Sequence, residues 1–133
     1  MSAKLKVKDI KKNFGINVVK AGFILGSGLS NAIPLKDKII IDYNDIDGFN
    51  IPSVTGHSGK LVIGTIKKKS FAILSGRTHF YENGKADTMR TPIKILKDLG
   101  VEKLVLTNAA GSLRSNIPTG SIMIIKDLSL IHI

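Results

Sequence analysis

"DTMRTPIKILKDLG" (87–100) runs, two residues later, into "KLVLTNAAG" (103–111). Apolar residues at 89, 93, 96 and 99 recur at helical spacing, and Gly100 supplies the stop. The start reads two ways. With Asp87 as cap, Pro92 falls just past the first turn and kinks the helix. With Thr91 as cap, Pro92 takes the favoured first position. We favour the earlier start with a kink. "KLVL" is an apolar strand that ends in residues with almost no side chain.

Upstream lie more strands than helices. "GFILGSGLS" (22–30) reads as a buried strand breaking into a Gly-Ser-Gly turn, and "KIIIDYNDI" (38–46) as a second, rich in β-branched residues. "KLVIGTI" (60–66) and "SFAILSG" (70–76) flank "KKK" (67–69) and read as a hairpin. "GSIMIIKDLSLI" (120–131) reads as a last strand. Strands followed by a helix that leads into another strand predict an α/β fold, a mixed β-sheet flanked by helices. In such sheets ligands sit beyond the strand ends. Four loops fall at such ends or turns: "GSGLS", "TGHSG", "GRTHFYENG" and "TNAAGS".

Composition narrows the class. The 133 residues are 43% hydrophobic and 23% charged, which fits one globular domain with a modest core. With no Cys, a disulfide framework and a Cys-based zinc site are both excluded. No apolar run approaches the length of a membrane span. "MSAKLKVKDIKKNFG" lacks the continuous apolar core of a secretory signal, so a cytoplasmic location is the default. The net charge of +10 invites a nucleic-acid reading. We set it aside. Lys supplies 17 of the 20 basic residues and is scattered, there are 20 Ile, and aromatics for base stacking are only 5%. Lys and Ile rising together while Arg stays rare is what an AT-rich coding sequence produces.

The rarity of Arg makes Arg77 conspicuous, because a bidentate fork is the thing Lys cannot replace. In an extended "GRTHFYENG" (76–84), Arg77, His79 and Tyr81 would point one way and Thr78 and Phe80 the other. One face would then hold a cation, an imidazole and a phenol, suited to an anion beside something flat or hydroxylated. "GSG" (26–28) reads either as an ordinary tight turn or as a backbone that approaches an anion, with Ser27 offering a hydroxyl. It matches neither the phosphate-loop pattern nor the dinucleotide fingerprint. His57 in "GHSG" (56–59) reads as a bland loop His or a ligand. Ala109, Ala110 and Gly111 either pack a loop tightly or let a flat ligand lie against backbone. The three His have no metal-ligand spacing, so no metal is expected.

Taken together, "ILGSGLS … TGHSGKLVIGTI … SGRTHFYENG … MRTPIKILKDLGVEKLVLTNAAGSL … PTGSIMIIKD" resembles the trimeric class of purine nucleoside phosphorylases. The sister methylthioadenosine phosphorylases, which share the "GSLR" ending, come second because they differ at the loop holding Asn108 and Ala109. The resemblance covers about residues 22 to 127. It implies phosphorolysis of purine nucleosides to free base and ribose 1-phosphate, with inorganic phosphate as co-substrate and no metal or organic cofactor. It implies a phosphate site of Ser27, His57, Arg77, His79 and the Ala109 amide. Tyr81 would pack on ribose, and Ala109, Ala110 and Gly111 would wall the purine. It also implies a homotrimer whose partners are nucleoside and phosphate, not nucleic acid or membrane.

Members of that class are about twice this long. The expectation is therefore a single, truncated nucleoside phosphorylase domain over 1–133, an incomplete three-layer fold. Leu128 stands where the class has His. The residues that read and activate the base would lie in the absent half, so no catalytic residue is assignable. The expected consequences are bare apolar faces or edges at "KLVLT" and "SIMII", poor stability alone, and little or no phosphorolysis without a complementing C-terminal fragment. A non-catalytic remnant that binds phosphate is the alternative.

Overall fold

The computed structural model describes residues 4–26, 28–29, 32–49, 59–77 and 79–127, leaving the Asn83 side chain aside. The elements are α1 (Val7–Asn13), β1 (Val19–Leu25), β2 (Lys36–Asp42), β3 (Lys60–Ile66), β4 (Lys69–Ser75), α2 (Phe80–Asn83), α3 (Arg90–Asp98) and β5 (Lys103–Leu106). The five strands form one mixed sheet in the order β2-β3-β4-β1-β5. β1 lies between β4 and β5 and runs parallel to both, while β3 runs antiparallel to β2 and β4.

The hairpin expected across "KKK" is present, with a tighter turn. Ile66 pairs with Lys69, so Lys69 belongs to β4 and only Lys67 and Lys68 turn. Their φ values of 47° and 62° are both positive, as a two-residue turn matched to strand twist requires. The strand read at 22–30 begins earlier, at Val19, and ends at Leu25. The one read at 38–46 begins at Lys36 and ends at Asp42, whose side chain accepts from the Asn44 N–H and opens a 3-10 turn over Tyr43–Asp45.

β4 and β5 flank β1 and are parallel to it, so the chain between them must cross over, and α3 rides on that crossover. Neither expected cap is used. The helix starts at Arg90 with Met89 at the N-cap. Pro92 is its third residue, where a missing N–H costs nothing because no intrahelical acceptor exists for it. That start sets the phase. Pro92, Ile95, Leu96 and Leu99 are buried, and Ile93, expected inside, faces out. Gly100, at φ 92°, follows the end as expected.

α1 and α3 cover one face of the sheet. Ile10, Ile95, Leu96 and Leu99 pack there against Val19, Ile24, Ile41, Leu61, Ile63, Ala72 and Leu74. A register shift between Val19 and Ala21 flips the alternation of β1, which lets Val19 and Ile24 share that face. The opposite face carries Leu25, Leu35 and Ile73 with Phe23, Phe71, Val62 and Ile66. β5 is an edge with both faces open; Leu106 is 60% exposed. "SIMII" is not a strand: 121–127 join no ladder, and Ile122 and Ile124 are more than 90% exposed. Residues 128–131 of that expected strand lie outside the described residues.

Tyr43 is buried in the helix-covered core, its ring stacked on Phe49 at 3.9 Å and 19°. Burial pushes its phenol well above the ordinary value of 10.0. The folded state then keeps a proton that the unfolded chain releases first, so stability is full below about pH 10 and is lost as pH rises toward the folded value. Thermal melts at increasing pH should show a fall in stability above about pH 10 that is shallower in Tyr43→Phe. Equal slopes in the two proteins would contradict this burial effect.

Candidate functional site

The three parallel strands end at one edge of the sheet. Leu25 pairs with Ser75, and Ile24 with Leu106, so the segments after them emerge side by side. Thr107, the first residue past β5, ties them together. Its N–H donates to the Ile24 carbonyl at 3.1 Å, and its Oγ1 accepts the Gly26 N–H at 2.8 Å. Its carbonyl accepts Nη1 of Arg77 at 2.8 Å. A Cβ on residue 26 would sit 3.1 Å from the Thr107 carbonyl oxygen, so glycine permits the close approach.

Arg77 also donates through Nε to Nε2 of His79 at 3.2 Å. An imidazole nitrogen that accepts carries no proton, so the His79 proton belongs on Nδ1. Nδ1 lies 3.0 Å from Oε1 of Glu82, whose side chain is only 3% exposed. The same Oε1 accepts the His79 backbone N–H at 2.7 Å. This is the reciprocal arrangement that starts a helix, with His79 at the N-cap of α2 and Glu82 at its third position. The Tyr81 ring stacks on His79 at 5.0 Å and 12°, its hydroxyl 3.3 Å from Nδ1. The result is a half-buried guanidinium and imidazole backed by a carboxylate and faced by a phenol. A guanidinium has five N–H donors, so the two bonds above leave others for an incoming anion.

Arg77, His79 and Tyr81 are therefore brought together, though not by strand alternation. β4 stops at Ser75, Gly76 turns at φ 93°, and Tyr81 lies in α2. Ala109, Ala110 and Gly111 follow Thr107 and are exposed; the Asn108 amide donates to the Ala109 carbonyl at 3.3 Å. A cavity of about 760 Å³ takes Asn108, Ala110 and Gly111 into its wall, with residues of 112–125, but neither Arg77 nor His79. Its lining is nearly all solvent-exposed, so the basic cluster is the better defined site. Ser27 and His57, both expected at a phosphate site, lie outside the described residues. No group of three metal-ligating side chains is found among the described residues, and none of their helices is long and apolar enough to cross a membrane.

Three supporting residues, Glu82, Thr107 and Tyr43, are not marked as such by the motifs of the sequence. Of these, Glu82 is legible from its spacing, three positions after an N-cap. The Thr107 hydroxyl accepts across 81 residues of chain and the Tyr43 hydroxyl donates to the Gly76 carbonyl across 33, and no local pattern marks such contacts.

Fold and site together define an α/β protein whose parallel strand ends gather a basic cluster. The sequence model of the Phosphorylase superfamily matches residues 20–132, and the chain belongs to that family. It is 41% identical over 109 residues to purine nucleoside phosphorylase 1 of Bacillus subtilis, covering 81% of this chain and 40% of that one. The structure of Schistosoma mansoni purine nucleoside phosphorylase in complex with inosine superposes with a TM-score of 0.72 at 41% identity, over 84% of this chain and 39% of that one. A purine nucleoside phosphorylase in complex with ribose 1-phosphate superposes at 0.73 and 41% identity, over 84% and 41%. The chain thus spans about 40% of the length of the relatives it matches.

Thr107→Val keeps the shape but leaves the Gly26 N–H without its acceptor. We expect a loss of about 1–2 kcal/mol in stability and faster amide exchange at Gly26, with Thr107→Ser near wild type. Unchanged Gly26 exchange in the Val variant would contradict the tie.

Proposed function

We propose that this chain carries the phosphate and sugar side of a purine nucleoside phosphorylase site. The observation that carries the reading is the Arg77–His79 pair, held at the ends of three parallel strands in a chain related to enzymes seen with inosine and with ribose 1-phosphate. Inorganic phosphate is the co-substrate, with no metal or organic cofactor. A cytoplasmic setting is part of the reading.

Arg77 and His79, with Ser27, His57 and the Ala109 amide, hold phosphate beneath the ribose. Tyr81 packs on the sugar, and Ala109, Ala110 and Gly111 lie beside the purine. A phosphate oxygen forms the new bond at the anomeric carbon while the glycosidic C–N bond breaks and its electron pair departs with the base. The transition state has oxocarbenium character, and a fixed anion beneath it is stabilising. Arg77 Nε is held by His79 Nε2. An arriving hydrogen phosphate takes that N–H and turns its own O–H toward the freed His79 Nε2. Glu82 at Nδ1 keeps the ring in place.

Among the described residues, none is a candidate to protonate or polarise the leaving base. We therefore assign turnover to an assembly that includes a complementing fragment, and phosphate binding to this chain alone. The openness of the cluster favours the binding role: Tyr81 is 75% exposed, so water reaches the sugar side.

The test measures inorganic phosphate binding and hypoxanthine release from inosine. Each charge-assisted hydrogen bond contributes about 1.5–3 kcal/mol. Arg77→Ala should therefore weaken phosphate binding about 10-fold or more, with inosine turnover near background in both proteins. Equal phosphate binding by a folded Arg77→Ala variant would overturn the assignment. Substantial turnover by the chain alone would overturn the division of labour.

A further inference from the structure

Tyr43 lies outside the cluster, yet it bonds the peptide from which the cluster starts. Its hydroxyl donates to the Gly76 carbonyl at 3.0 Å. Gly76 is the first residue past β4, so its carbonyl has left the ladder that ends at Ser75. Its φ of 93° lies in the region glycine enters freely, and glycine's wide φ/ψ freedom leaves the next peptide poorly restrained by its own backbone. That peptide delivers the nitrogen of Arg77.

The phenol itself is firmly held. Its backbone N–H donates to the Gly59 carbonyl at 2.9 Å, and its ring stacks on Phe49. A Cβ on residue 59 would fall 2.4 Å from the ring, so only glycine lets the ring lie there. A fixed hydroxyl therefore meets a freely turning peptide. We propose that Tyr43 is a positioning residue: its hydroxyl fixes the peptide between Gly76 and Arg77, and so aims the guanidinium at Thr107, His79 and an incoming phosphate. The phosphate part of this rests on the function proposed above; the aiming of Arg77 does not.

Tyr43→Phe removes the hydroxyl and keeps the ring. The full chain is compared with this variant by hydrogen exchange at the Arg77 Nε–H, followed by NMR, and by titration with inorganic phosphate. We expect the Nε–H to exchange about 10-fold faster and phosphate to bind about 3- to 10-fold more weakly, in a protein that still melts cooperatively. Phe49→Leu is the control. It loosens the stack but keeps the hydroxyl, so it should melt lower while the Arg77 Nε–H stays protected. Unchanged Arg77 exchange in a folded Tyr43→Phe variant overturns the proposal. So does equal loss of protection in Phe49→Leu, which would mean general softening. If wild type fails to bind phosphate while Tyr43→Phe still frees Arg77, the positioning role stands and the phosphate reading falls.

Discussion

Thr107 is the residue on which the strand-end architecture converges. Through its N–H, hydroxyl and carbonyl it joins Ile24, Gly26 and Arg77, which belong to β1, to the turn after it and to the turn after β4. Each bond is modest, on the order of 1 kcal/mol net. Their joint effect is geometric. Three loops that diffuse independently in the unfolded chain are brought to one place, and the guanidinium is pinned before any ligand arrives. A pinned donor array loses less freedom on binding than a flexible one.

Behind this edge the sheet is unevenly covered. α1 and α3 seal one face, and the fully buried residues concentrate there. On the other side, β5 pairs only with β1 among the described residues and shows apolar side chains to solvent. An exposed apolar edge is ready to pair with another strand. The relatives are more than twice as long as the segment they share with this chain, and their additional polypeptide is the natural source of such cover.

Much of this was legible in the sequence, for local reasons. The hairpin could be read because two apolar runs flank a polar turn, and α3 because its apolar spacing and Gly100 are local signals. Its phase is not legible at Ile93, since Met89 makes an unconventional cap and no side chain marks the start. The grouping of Arg77, His79 and Tyr81 is legible, but not the geometry that produces it. Gly76 breaks the strand, and a turn of helix started by Glu82 gathers the rings. "SIMII" has strand composition, but a strand needs a ladder partner, which composition cannot supply. Tyr43 and Thr107 act across long stretches of chain, where single-sequence patterns are silent.

If the strand-end cluster is a site for a tetrahedral oxyanion, such an anion should be found there. A crystal structure of the chain grown with tungstate, a heavy tetrahedral oxyanion, would fix its position by anomalous scattering. The strongest anomalous peak should lie within hydrogen-bond distance of Arg77 and His79, with the Arg77 Nε no longer bonded to His79. An ordered cluster with no peak, its Arg77–His79 bond intact at saturating tungstate, would contradict it.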